Sequence, residues 1–206
     1  MGHSSVNISD NGFSVLIDPF NIDNNLEADI ILITHPDAGH FDKNSIERCS
    51  GPGTCVVIPE TMDESLVPCD DIEMIEEGQL IDIFGVEIEA VPMYNDHHSR
   101  GEGFGYRFLM GRDSIYVAGD TGLIPEVSEL ENKVDIAFLP VEGVYTMDVD
   151  EAVKMAVRIK PDVVIPYHYG EPFFGDQKVD LRSFKAELED RNIECRILEA
   201  ETEEVR

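Results

Sequence analysis

The sequence predicts an α+β fold: two mixed β-sheets packed face to face, an α/β sandwich with helices outside. Three observations predict it. The first half of the chain is strand-rich, with short apolar runs separated by turn residues. The second half alternates strand and helix. Ile30–Ile33 is aliphatic without alternation, as a fully buried strand is. A doubly wound parallel sheet fits less well, because strands in the middle follow one another without intervening helices. The 206 residues are enough for one well-buried core. No repeat, linker or composition break divides them, so one domain over 1–206 is expected.

The elements follow in order. Val6–Ile8 and Phe13–Ile17 read as strands around a turn at Asp10-Asn11-Gly12, and the second ends in Asp18-Pro19-Phe20. After the Ile30 strand, Lys43–Cys49 suggests a short helix, Thr54–Ile58 a strand and Glu60–Leu66 a helical turn. A run of strands comes next, at Ile72–Ile75, Gln79–Phe84, Val86–Val91, Gly105–Met110 and Ser114–Val117. Gly85, Gly111 and Gly101-Glu102-Gly103 mark the turns between them. Pro125–Glu131 reads as a short helix and Val134–Leu139 as a buried strand. From Asp148 to Lys160, Val149, Ala152, Val153, Ala156, Val157 and Ile159 share roughly one helical face, with Asp148 as cap and Pro161 as terminator. Val163–Pro166 is a strand running towards His168. Asp180–Asn192 is an amphipathic helix and Ile193–Leu198 a last strand.

Charge narrows the partners. With 43 acidic and 15 basic residues the net charge is −28, which repels a nucleic-acid backbone, so no nucleic acid is expected. There is no apolar run near membrane-spanning length and no basic-then-apolar leader, so no membrane association is expected and the cytoplasm is the expected location. Cys49, Cys55, Cys69 and Cys195 show no CxxC spacing and read as free thiols.

Chemistry concentrates where the Ile30 strand breaks at Thr34. His35, Asp37, His40 and Asp42 fall within eight residues. An apolar strand that delivers His and Asp at its end builds a metal or acid–base site on a rigid element. Asp18, His98, Asp120 and His168 are the partners that the fold would bring to this loop. A single histidine is most often an ordinary core or surface residue, and it is the combination that points to a site.

Around these residues stand Gly2-His3-Ser4-Ser5, Leu16-Ile17-Asp18-Pro19-Phe20, Thr34–Asp42, Tyr94-Asn95, and His98-Ser99-Arg100-Gly101-Glu102-Gly103-Phe104-Gly105-Tyr106. Ala118-Gly119-Asp120-Thr121-Gly122, Leu139-Pro140 with Gly143, Tyr145-Thr146-Met147-Asp148 and Ile165-Pro166-Tyr167-His168-Tyr169-Gly170 complete the set. In this order the motifs resemble those of the metallo-β-lactamase-fold hydrolases, closest to the branch containing ascorbate-6-phosphate lactonase. The resemblance covers nearly the whole chain and implies a four-layer αββα fold. It implies one or two divalent ions, zinc first with manganese or iron as alternatives, and hydrolysis of a small-molecule phosphoester or lactone by metal-bound hydroxide.

One departure stands in the loop. The family pattern is His-x-His-x-Asp-His, and here Asp37 replaces the second His and Gly39 replaces the Asp. Carried over by position, one metal would have His35, Asp37, His98 and Asp120. The other would have His40, Asp120 and His168, with Asp120 bridging. If it does not bind metal, Asp37 is the leading candidate for proton handling. Asp18 and His3 are expected behind the ligands, Asp18 accepting a hydrogen bond from a ligating His or else forming a turn before Pro19. Asp42 has the same ambiguity and is alternatively a helix cap. His97 competes with His98 as ligand, and the family register favours His98. Arg100 and Tyr169 are candidates to bind substrate, with Lys43 a further basic residue near the loop. A member that keeps the fold but binds metal, a ligand or a partner without turnover is the alternative to a hydrolase.

Overall fold

The computed structural model describes residues 3–23, 26–170 and 179–198; Gly2 of the N-terminal motif lies outside them. The first sheet begins as a hairpin of β1 (Val6–Asp10) and β2 (Phe13–Ile17), with Val6 opposite Ile17. Asn11 and Gly12 form its turn, at φ 50° and 85°, the left-handed pair that a two-residue type I′ hairpin requires. Then β3 (Ala28–Leu32), β4 (Ser50–Pro59) and β5 (Ile72–Ile75) add in parallel, in the order β1-β2-β3-β4-β5.

The second sheet opens as an antiparallel meander of β6 (Leu80–Ile83), β7 (Val86–Pro92), β8 (Phe104–Met110) and β9 (Asp113–Val117). It continues in parallel through β10 (Ile136–Pro140), β11 (Val163–Tyr167) and β12 (Glu194–Cys195). Parallel neighbours need crossovers, and helices supply three of them. These are α1 (Lys43–Cys49) between β3 and β4, α2 (Val149–Ile159) between β10 and β11, and α3 (Leu181–Glu189) between β11 and β12.

Alternation along the strands sorts the side chains into three apolar layers. Val15, Ile17, Ile30, Leu32 and Val57 meet Ile88, Phe104, Tyr106, Phe108 and Val117 between the sheets. Leu16, Ile31, Ile33, Val56 and Ile58 face the other way, against Ile46 of α1. Tyr116, Ala137, Leu139 and Val164 pack under α2 and α3 through Ala152, Val153, Ala156, Phe184 and Leu188. The result is helix, sheet, sheet, helix, the expected αββα order. Both faces of β3 are buried, which is why its sequence is aliphatic throughout. Burying each large side chain contributes roughly 1.5–3 kcal/mol, so these layers outweigh any single cap.

Several boundaries differ from the sequence expectation. The Gly51-Pro52-Gly53 stretch looks like a turn but continues β4, because a register shift opposite Ala28 and Ile30 absorbs it. Thr54 Oγ1 accepts from Gly51 N at 2.7 Å and donates to the Ala28 carbonyl at 2.6 Å. The expected strand Ile193–Leu198 shrinks to β12, since Ile197 and Leu198 are exposed and have no core to face. Glu60–Leu66 and Pro125–Glu131 become short 3-10 segments, Glu64–Leu66 and Pro125–Leu130.

Strand direction decides what meets at one rim. The carboxyl ends of parallel β2 and β3 lie together, and so do those of β9 and β11 beside β10. Two antiparallel steps, β9 to β8 to β7, return the carboxyl end of β7 to the same rim. β1 runs antiparallel to β2, so it brings its amino end there.

Candidate metal centre

At that rim Asp18 follows β2, Thr34 and His35 follow β3, Asp120 follows β9 and His168 follows β11. The Asp18 side chain is fully buried, and a buried carboxylate is costly unless bonded. Its Oδ1 accepts from Thr34 N at 2.7 Å, and its Oδ2 from Thr34 Oγ1 at 2.6 Å. Oδ2 also lies 2.8 Å from His40 Nδ1. Burial pushes this carboxyl up, with His40 and Thr34 pulling against it.

The Nδ1 atoms of the other imidazoles near this loop are also held from behind. His35 Nδ1 is 2.9 Å from Thr34 Oγ1, and His98 Nδ1 is 3.3 Å from Asn95 Oδ1. With Nδ1 engaged in each of the three, the lone pair belongs to Nε2, which turns inward.

The Nε2 atoms then converge on Asp120. His40 Nε2 and His168 Nε2 are 3.1 Å apart, and each approaches Asp120 Oδ1, at 3.3 and 3.2 Å. An ion held tetrahedrally at 2.0–2.1 Å separates its ligand atoms by roughly 3.3 Å. The three atoms therefore have the spacing of one face of such a tetrahedron. The other oxygen, Asp120 Oδ2, is 3.8 Å from His35 Nε2. Among the described residues, two groups have donor atoms within 4.8 Å of one another: His35, His98 and Asp120, and His3, His40 and His168. The donors present fit one or two divalent ions, with Asp120 offering one oxygen to each side.

Electrostatics favour neutral, lone-pair imidazoles at most positions. Burial drives His35 well below its ordinary value, and the neighbouring His40 charge adds to this. Burial likewise lowers His168 to about 4, and lowers His3 to about 3 with help from the His168 charge. His40 is the exception. Burial would lower it too, but Asp120 and Asp18 on either side raise it to about 10. Burial works against ionised Asp120, yet His40 and His168 hold its carboxyl well below the usual carboxylate range.

Asp37 stands at the mouth. Its side chain is 61% exposed, and Oδ2 is 3.3 Å from His98 Nε2. Its carbonyl accepts from His40 N and Phe41 N, both at 3.1 Å, so the turn that delivers His40 is built on Asp37. His98 faces inward and His97 does not: His97 is exposed, its ring 5.2 Å from that of Tyr145.

Three of the candidates stand apart from the converging donors, and Asp42 takes the cap role that the sequence offered as one alternative. Arg100 is not directed among the histidines, because its guanidinium pairs with Glu77 and Glu126, each at 2.6 Å, and lies over the Tyr94 ring. Tyr169 packs against the layer under α2 and α3. Asp42 is a cap: it accepts from Asn44 N at 3.1 Å and Ser45 Oγ at 2.6 Å at the start of α1.

Two residues given no role by the sequence reading organise the rim. Asn95 Oδ1 accepts from His97 N and His98 N at 2.7 and 2.9 Å, while its Nδ2 donates to the carbonyls of Asp120 and Tyr145 at 2.8 and 2.7 Å. The signal was an Asn two and three residues before the His pair, the spacing of an Asx turn. Glu142 is buried, and its carboxylate accepts from the backbone N–H groups of Val144, Tyr145 and Thr146. Its signal was an acidic residue set between Pro140-Val141 and Gly143.

Residues 1–168 match the model described as the beta-lactamase superfamily domain, and the chain belongs to that family. Relatives carry a narrower description. A UPF0173 metal-dependent hydrolase of Nanoarchaeum equitans is 33% identical, over 98% of this chain and 96% of its own. Another, from Methanopyrus kandleri, is 30% identical over 96% and 94%. Among solved structures, the metallo hydrolase Igni18 of Ignicoccus hospitalis aligns with a TM-score of 0.82 at 25% identity, covering 96% of this chain and 92% of that one. The metallo-β-lactamase fold expected from the motifs is thus present. These relatives do not speak to the lactonase branch.

Proposed function

We propose that the chain is a cytoplasmic, metal-dependent hydrolase acting on a small molecule with a phosphoester- or lactone-type bond. The triangle of His40 Nε2, His168 Nε2 and Asp120 Oδ1, with sides of 3.1–3.3 Å, carries this reading. The relatives' description as metal-dependent hydrolases supports it. Imidazole and carboxylate donors suit zinc first, with manganese or iron as alternatives. Such an ion supplies a water acidified towards neutrality and a Lewis acid for the substrate oxygen.

The chain's own residues do the rest. His35, His40, His98, His168 and Asp120 would hold one or two ions, with an Asp120 oxygen available to each side. Asp18, Thr34 and Asn95 fix which imidazole nitrogen faces in. Asp37 is exposed at the mouth beside His98, where its carboxylate could take up a proton from the nucleophilic water. Arg100 is neutralised by Glu77 and Glu126, so an anionic group on the substrate is received by the metal positions rather than by this guanidinium. The excess of acid over base, −28 overall, disfavours a nucleic-acid substrate. Unbridged Cys49, Cys55, Cys69 and Cys195 suit a reducing compartment. Among the described residues no helix is long and apolar enough to cross a membrane.

The test is metal content by elemental analysis of natively purified protein, joined to hydrolysis of bis(p-nitrophenyl) phosphate and simple lactones. About one or two equivalents per chain, with cleavage abolished by chelator and restored by Zn²⁺ or Mn²⁺, is expected. Absence of metal together with no gain on reconstitution overturns the proposal.

A further inference from the structure

We infer that His3 is itself a metal ligand, completing with His40, His168 and Asp120 a second metal position whose loop lacks a carboxylate at Gly39. This rests on the metal-centre reading above and changes the expectation for His3, which the sequence placed behind the ligands. The first observation is proximity. His3, His40 and His168 each present a ring nitrogen within 4.8 Å of the others. The His3 ring centroid is 4.3 Å from that of His168 and 6.0 Å from that of His40. The triangle of His40, His168 and Asp120 leaves one corner of a tetrahedron to fill, and His3 stands beside two of its three members.

The second observation is how the chain holds His3 there. The His3 carbonyl accepts from His168 N at 3.3 Å. The next residue, Ser4, is buried and donates its hydroxyl to the Gly39 carbonyl. Ser5 Oγ then donates to the Asp18 carbonyl at 2.7 Å and accepts from Phe20 N at 2.9 Å. The segment before β1 is thus sewn to the segments that carry His168, Gly39 and Asp18. His3 and His168 both adopt left-handed backbone, at φ 54° and 58°. Such backbone is costly for residues other than glycine and persists where surrounding structure imposes it.

The third observation concerns Gly39. Its φ of 101° lies where only glycine is comfortable. The loop is therefore shaped for the absence of a side chain at this position, and the N-terminal segment leans on it through Ser4.

The experiment uses the whole chain, made metal-free with chelator and titrated with Zn²⁺ against a chromophoric chelator. A parallel Co²⁺ titration is followed by its visible spectrum. Wild type, His3→Ala, His3→Gln, His3→Asp and His98→Ala are compared, with circular dichroism to verify folding. Two equivalents in wild type are expected, the second weakened at least 100-fold in His3→Ala and His3→Gln, with an altered Co²⁺ spectrum. His3→Asp, which replaces one donor by another, should regain most of the second equivalent. His98→Ala should spare the His3 position and weaken the other. Two equivalents of unchanged affinity and spectrum in folded His3→Gln overturn the assignment of His3 alone. A wild type that binds no metal overturns the metal-centre reading itself. A loss of less than about tenfold with an unchanged spectrum means that His3 only supports the ligands from behind, which also overturns the inference.

Discussion

Asp18 shows at the scale of one residue how the centre is held. It touches no inward-facing nitrogen, yet it bonds Thr34 twice and meets His40 Nδ1 at 2.8 Å. Asp18→Asn keeps the size but turns one acceptor oxygen into a donor aimed at Thr34 or His40. Loss of such an orienting carboxylate typically weakens metal binding 10–100-fold. That loss, read by competitive chelation, is the expected outcome, and an unchanged affinity would sink the orienting role. Asp18 was legible in the sequence as a residue ending a strand beside the loop, but its partner was not, because the approach of His40 depends on a turn built around Asp37 and Gly39. Arg100 illustrates the opposite limit. Proximity in sequence to His98 made it a substrate-binding candidate, while its pairing with Glu77 and Glu126, distant in sequence, could not be read there.

Elements explain why the rim forms at all. Gly103, just before β8, lies so close to the end of β3 that an added Cβ would fall 2.5 Å from the Thr34 carbonyl and 2.7 Å from His35 Cβ. Phe104 N donates to that same carbonyl at 2.9 Å, and Tyr106 Oη donates to the Ile33 carbonyl at 2.8 Å. These contacts staple the two sheets at the metal end. Helix caps act on stability alone. Asp42→Ala should cost about 1 kcal/mol through loss of the α1 cap, with metal content unchanged; denaturant melts and elemental analysis check both halves. A variant that folds normally but loses metal would instead make Asp42 part of the centre. Strand and helix identities were largely readable from apolar periodicity, whereas β4 and β12 were mis-sized. A bulge and a missing core under Leu198 are tertiary facts that no local window contains.

Over the whole molecule, the buried ionisable groups set the acid and alkaline limits of the metal-free protein. Burial lowers His168 to about 4 and His3 to about 3, against about 6.5 when unfolded. As pH falls from 6.5, the unfolded chain takes up protons that the folded one refuses, so stability declines until pH drops below those values. His168 alone accounts for about 3 kcal/mol of this decline. His40 works the other way. Raised to about 10 by Asp120 and Asp18 despite its burial, it stabilises fully below 6.5, and that contribution is lost as pH rises through 10. Melting temperatures in chelator should therefore peak near pH 6–7 and fall on both sides; a flat or monotonic profile from pH 4 to 10 would contradict this. The αββα architecture was legible because the three apolar layers between its four layers of helix and sheet leave a pattern along the chain. His3 was legible as a residue behind the ligands, but its ring standing directly beside that of His168, 165 positions away, was not, since that depends on β1 running antiparallel to β2.

On the assignment proposed for His3, that antiparallel edge would give the two halves of the centre unequal permanence. His35, His98 and Asp120 hang from β3, β7 and β9, interior strands with neighbours on both sides. His3 hangs from β1, which has a strand on one side only. Edge strands open more readily than interior ones, because fewer contacts must break. Fraying of the hairpin would release one ion while the other stayed, so exchange of metal between chains would run through a half-loaded form rather than an empty one. A supply of metal that restores only the scarcer, edge-held position would then switch the protein between two states without unfolding it.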